Sequence, residues 1–250
     1  MLTRHTQSGN RLAFGALVAA AMSAAATQAN AQLLIDPSGG TVLSAVNDDH
    51  ASYASRPLGF TASVFGQPAT AFTVFTNGYM NTPAGQSIAP MGMDLFVYPG
   101  NSITEKVSPG QFYSVTWKCG SYNWGHVYHH AQAVIFGAPM TLFGMNFQAN
   151  DIVFCYEYVG NSPWTAAVEL FYGPTLTHVP VPGDADGTLS DADRPLLPIF
   201  GTTGKVILFR PDGSGSYSRI VYPCAADFNR NGTASVQDLF DFLAAYFAGC

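Results

Sequence analysis

The chain has 250 residues, a formal net charge of −6, and only 10% charged residues against 48% hydrophobic ones, with 25 Gly and 12 Tyr. An acidic chain with few, scattered basic residues lacks the electrostatic footprint of a nucleic-acid binder. The composition fits β-rich extracellular proteins, whose surfaces lean on Ser, Thr, Asn and Tyr.

The N-terminus reads as a secretion signal. Arg4 and Arg11 precede an apolar run from Leu12 to Ala26, and Ala29-Asn30-Ala31 offers small residues for cleavage before Gln32. Residues 1–31 are therefore expected to be removed, which takes away two basic residues and no acids and leaves a mature chain of charge about −8. The run is too short and alanine-rich to span a bilayer well, and no later stretch approaches the roughly 18 apolar residues of a membrane helix. The mature protein is expected to be secreted, extracellular or associated with the cell surface, without a membrane span.

Residues 32–221 read as short strands separated by turns. Apolar or alternating runs occur at Phe60–Phe65, Ala71–Phe75, Met93–Tyr98, Phe112–Trp117, Ala131–Phe136, Asp151–Tyr158, Ala166–Phe171 and Lys205–Phe209. Breakers fall between them at Gly66-Gln67-Pro68, Asn77-Gly78, Pro99-Gly100-Asn101, Ser108-Pro109-Gly110, Gly137-Ala138-Pro139 and Gly160–Pro163. Strands without intervening helices predict a mainly β fold, an antiparallel β-sandwich, and exclude a nucleotide-binding α/β fold.

Within this region, His126, His129 and His130 form a local group of strong metal ligands, with Glu157 as a conceivable fourth for zinc or copper. On a strand His126 and His130 share a face and His129 points away, which breaks a three-ligand geometry. The preferred reading is a polar, aromatic loop at a sandwich edge. Tyr122, Trp124 and Tyr128 beside His126 also suggest a carbohydrate-binding face, because exposed aromatic rings stack on sugars, whereas Trp117 on its alternating strand is expected in the core. Catalytic patterns are poor: there is no Gly-x-Ser-x-Gly, His-Glu-x-x-His or P-loop. Asp151 and Glu157, six residues apart on one strand, would lie about 20 Å apart, too far for glycoside hydrolysis. An enzyme is not expected.

Four cysteines in an exported chain point to disulfides. Three pairings are possible. Cys119 with Cys155 and Cys224 with Cys250 is favoured, since each bridge then staples one predicted unit. The stretch Gly183–Asp193 holds Asp184, Asp186, Ser190 and Asp193 around Gly187, but Pro182 stands where a first ligand belongs and Pro195 and Pro198 interrupt a following helix, so it is read as an acidic turn with weak calcium potential.

Residues 222–250 combine a cation loop with an amphipathic helix. Asp227, Asn229, Asn231, Thr233 (through its carbonyl), Ser235 and Asp238 occupy the first, third, fifth, seventh, ninth and twelfth positions, with Gly232 at the sixth. This is an all-oxygen set suited to Ca2+, and its two carboxylates imply modest affinity. Val236, Leu239, Phe240, Leu243 and Phe247 then form an apolar stripe that one short helix cannot bury by itself.

Two resemblances follow. The segment from Ala226 to Gly249-Cys250 resembles a single dockerin repeat of the Gly-Cys-ending kind found in secreted planctomycete proteins, about a tenth of the chain. That resemblance implies calcium binding and docking onto a cohesin-like or other surface receptor. In the body, Asp48-Asp49, Leu58-Gly59-Phe60, Phe65-Gly66 and Phe72 through Thr76-Asn77-Gly78-Tyr79 resemble the opening of nidogen-like extracellular domains. Phe112–Trp117, Ala131–Phe136 and Asn150–Phe154 resemble later strands of the same domains. This implies a β-rich adhesive module without a known catalytic centre, with Asp48, Asp49 and Asn77 as turn-forming and capping groups. The expected protein is a non-catalytic adhesive or ligand-recognition sandwich tethered by a calcium-binding tail. The alternative is a polysaccharide-active enzyme or carbohydrate-binding module of a dockerin-bearing system.

Overall fold

A computed structural model describes residues 33–44, 51–122, 128–143, 145–159, 167–172, 177–180, 205–222 and 236–247. In chain order the strands are β1 (Thr41–Ser44), β2 (Ser52–Val64), β3 (Gln67–Phe75), β4 (Tyr79–Asn81), β5 (Gln86–Gly92), β6 (Leu95–Phe96), β7 (Ser102–Ser108) and β8 (Phe112–Ser121). They continue with β9 (Tyr128–Phe136), β10 (Met140–Leu142), β11 (Met145–Phe147), β12 (Ile152–Val159), β13 (Ala167–Tyr172), β14 (Thr177–Pro180), β15 (Lys205–Pro211) and β16 (Tyr217–Tyr222), and a helix, α1, spans Val236–Phe247. Among the described residues no helix is long and apolar enough to cross a membrane.

The fold is an antiparallel β-sandwich, as the strand pattern predicts. One sheet runs β1-β7-β8-β9-β12-β15-β16, with β6 also pairing β8, and the other runs β14-β13-β5-β4-β3-β2. Each expected run coincides with or overlaps a strand, and the turn signals among the described residues fall between strands or at their ends, while Gly160–Pro163 lies outside the described residues. The Asn101 amide bonds Tyr98 O at 2.9 Å, and the Gln111 amide bonds Ser108 O at 2.9 Å. Gly78, with φ +76, makes the β3–β4 turn, where any Cβ would stand 2.1 Å from Met91 O.

Between the sheets, Leu58, Phe72, Val74, Met80 and Ile88 meet Tyr113, Trp117, Ile135, Phe154 and Phe209, all fully buried. Four polar ties cross the same space. Trp117 Nε1–H donates to Phe75 O at 2.9 Å, Tyr156 O–H to Pro90 O at 2.5 Å and Tyr217 O–H to Ser63 O at 3.2 Å, and Arg56 of β2 pairs with the buried Glu105 of β7. Trp117 is thus a core residue whose indole N–H is satisfied, the condition for burying it.

The large sheet is also covered on its outer face. Val134, Phe136, Val153, Cys155 and Leu208 pack there with Leu34, Ile35 and Phe147, the last from the β10–β11 hairpin. Covered on both sides, β9 and β12 carry unbroken apolar runs where a one-sided strand would alternate. The segment bearing Leu34 and Ile35 lies on this face like a strap. The buried Gln132 side chain accepts Ile35 N–H at 2.9 Å through Oε1 and donates to Ile35 O at 2.7 Å and Thr116 Oγ1 at 2.8 Å through Nε2. Lys106 Nζ then donates to the carbonyls of Asp36 and Ser38, each at 2.8 Å.

One expectation is overturned here. Cys119 and Cys155 are both buried and are not bonded to each other. Cys119 belongs to the core between the sheets and Cys155 to the layer on the outer face. β9 separates their strands, so roughly 10 Å of sheet intervenes, beyond the ~7 Å that a disulfide bridges. Burial raises both thiols, that of Cys155 to about 12, so each acts as a small apolar side chain. Cys224 and Cys250 lie outside the described residues.

Candidate functional site

The C-terminal helix forms where the sequence places it. Val236 opens α1 and Asp238 falls in its first turn, so the twelfth loop position lies on the helix. Val236 and Phe240 are 69% and 59% exposed, one turn apart, with Leu239 and Leu243 half-buried beside them. On the polar flank Gln237 Nε2 donates to Asp241 Oδ1 at 2.9 Å. The other expected ligands, Asp227, Asn229, Asn231, Thr233 and Ser235, lie outside the described residues, as do Asp48, Asp49 and the acidic stretch from Asp184 to Asp193.

The second candidate region is the β8–β9 end of the large sheet. Trp124 and His126 lie outside the described residues, so only part of the expected cluster has a described place. His129 and His130 do not converge. His129 turns into the sandwich, is 1% exposed, and holds Ser121 through Nε2 and Oγ at 2.7 Å. Its Nδ1 is buried without a hydrogen-bond partner, and burial pushes its imidazole down to about 4. His130 faces outward and pairs with Glu157, while Lys118 opposes it on β8. Burial lowers His130, Glu157 acts to raise it, and Lys118 lowers it further. Among the described residues no three His, Cys, Asp or Glu side chains gather as a metal site.

Asp151 and Glu157, the carboxylates weighed for hydrolysis, are each paired with a basic side chain, as is Glu105. Asp151, fully buried, takes Arg210 Nη2 at 2.7 Å and Nε at 3.1 Å and accepts Gln148 N–H at 2.7 Å. Glu157 lies at the other end of β12, paired with His130. Glu105 receives Arg56 Nε at 3.0 Å and Tyr113 O–H at 3.2 Å. A cleft of about 220 Å³ between the β2–β3 and β15–β16 turns, lined by residues including Ser63, Gly66, Gly215 and Tyr217, has no carboxylate or imidazole in its wall. Asn77 acts as a capping group, its Oδ1 accepting Leu95 N–H at 3.1 Å.

Comparison of the chain with protein-family models, curated proteins and solved structures finds no match. Tyr122 and Tyr128 stand at one corner of the large sheet, and Phe96 and Tyr98 join them there. The alternation Leu95-Phe96-Val97-Tyr98 was the available signal, since it turns the two aromatic rings to one face. The Ser121–His129 pair was likewise readable only once β8 and β9 were in register.

Proposed function

We propose that this is a secreted, non-catalytic adhesive or ligand-recognition protein whose C-terminal segment binds Ca2+ and attaches it to a surface receptor. The observation that carries the reading is α1. Its apolar positions Val236 and Phe240 are exposed on one face, directly after a loop sequence rich in hard oxygen donors. Apolar residues one turn apart gain only when a partner covers them, the helix-in-groove mode of recognition. A receptor of the cohesin type fits the resemblance to a dockerin repeat, and a Cys224–Cys250 bridge would clamp the two ends of the segment.

Two carboxylates, Asp227 and Asp238, would neutralise the cation, and Asn229, Asn231, Ser235 and the Thr233 carbonyl would complete its oxygen shell. The sandwich supplies recognition in this reading, and the helix supplies tethering. Calorimetric titration of the whole secreted chain with Ca2+ should show one site that Asp227→Ala with Asp238→Ala removes, together with calcium-dependent retention on the native cell envelope. A titration unchanged by the double substitution sinks the calcium site. Retention that persists in chelator sinks calcium-dependent attachment.

A further inference from the structure

Four aromatic side chains share one outward corner of the large sheet. Leu95 and Val97 face the core, so alternation turns Phe96 and Tyr98 outward. Phe96 opposes Gly120 across the β6–β8 pairing, and Gly120 opposes Tyr128 across β8–β9. Cross-strand partners share a face, so Phe96, Gly120 and Tyr128 make one outward row, with Tyr98 and Tyr122 two residues beyond Phe96 and Gly120, just past the ends of β6 and β8. The Phe96 ring lies 4.7 Å from Tyr98 at 57° and 5.6 Å from Tyr122 at 39°, tilted against both. Tyr128 is 54% exposed.

The rim of this patch is polar. Tyr98 O–H donates to Ser121 O at 3.0 Å, and burial, with the nearby Tyr122 and Tyr128 phenols, raises its hydroxyl above the ordinary tyrosine value. The next outward row holds Lys118 opposite His130, which pairs with the partly exposed Glu157. Ring faces surrounded by phenols, an ammonium and a carboxylate match a sugar, which offers a C–H face to an aromatic ring and hydroxyls at its edge. An anionic lipid surface suits neither the rim carboxylate nor a chain of net charge −6. Across β6, β8 and β9 the row spans roughly 10 Å, room for adjacent sugar rings.

We propose that Phe96, Tyr98, Tyr122 and Tyr128 form a platform for the sugar rings of a neutral polysaccharide, with Lys118, His130 and Glu157 supplying hydrogen bonds at its rim. This names the ligand class of the recognition surface and rests on the non-catalytic reading above. The test is affinity electrophoresis of the whole secreted chain in native gels containing xylan, laminarin or hydroxyethylcellulose. At least one polysaccharide should retard the protein. Tyr128→Ala should weaken the apparent affinity about fivefold, an amount typical of one aromatic contact. Tyr98→Ala with Tyr128→Ala should abolish retardation while the urea midpoint shows that the fold persists. Absence of retardation in all three gels overturns the platform, as does retardation unchanged in the double variant. The Asp227→Ala, Asp238→Ala chain should be retarded like the wild type. Calcium binding without retardation thus defeats the platform alone, and retardation without calcium binding defeats the tether alone.

Discussion

His129 should make the sandwich acid-sensitive in a way that one substitution isolates. The imidazole is 1% exposed, has no partner at Nδ1, and sits at about 4 where an ordinary histidine is near 6.5. Between those values the unfolded chain holds a proton that the folded chain refuses, so folding stability falls as pH drops through that window and is level above it. At 1.36 kcal/mol for each tenfold change in proton affinity, the loss reaches about 3 kcal/mol by pH 4. His129→Gln keeps a hydrogen-bonding group for Ser121 but cannot ionise. Urea unfolding of both proteins at pH 7.5, 6, 5 and 4 subtracts every other titration, including that of His130. The wild type should lose about 3 kcal/mol relative to the variant between pH 7.5 and 4. Parallel stability profiles, or an NMR titration placing His129 near 6.5, would refute the claim that its burial excludes the proton.

Two further outcomes follow from the core. Arg56→Met should cost about 3 kcal/mol in urea unfolding, because it strands the Glu105 carboxylate inside the sandwich, and Arg56→Met with Glu105→Leu should recover most of that. A double variant as unstable as the single one would show that the pair itself contributes the stability. Gly78→Ala should cost about 4 kcal/mol, since its positive φ adds to a clash with immovable backbone at Met91 O. Gly85→Ala, at φ +88 with open space around it, should cost only about 1–2 kcal/mol. Equal losses in thermal unfolding would mean that the close approach at Gly78 is not the deciding factor.

The parts of the fold legible in the sequence were those where one local signal was enough. Runs such as Ala131–Phe136 and turns such as Asn77-Gly78 declare themselves through apolar continuity or glycine's access to positive φ. β7 did not, because Glu105 and Lys106 make it look like a solvated loop until Arg56 and the strap carbonyls supply their partners. β5 hid behind Pro90, whose carbonyl instead receives Tyr156 O–H. β16 exposes Ser218, Arg219 and Ile220 together, as an edge strand can, and so shows no alternation. In the candidate sites, strand periodicity was enough to separate His129 from His130. The Cys119–Cys155 pairing failed because cysteine count carries no information about which face of a sheet each thiol occupies.

The bond between Gln132 and Ile35 joins residues 97 apart, so the strap cannot be fastened until β9 exists. A chain made N-terminus first therefore carries Leu34 and Ile35 uncovered while most of the sandwich is still to come. The earliest residues of the body are among the last to find their place. The seal over the outer face acts as a completion mark, since it closes only when β8 and β9 stand side by side to present Thr116 and Gln132 together. A truncated or misregistered chain would leave that apolar strip open to water, a contiguous patch that invites association with other chains.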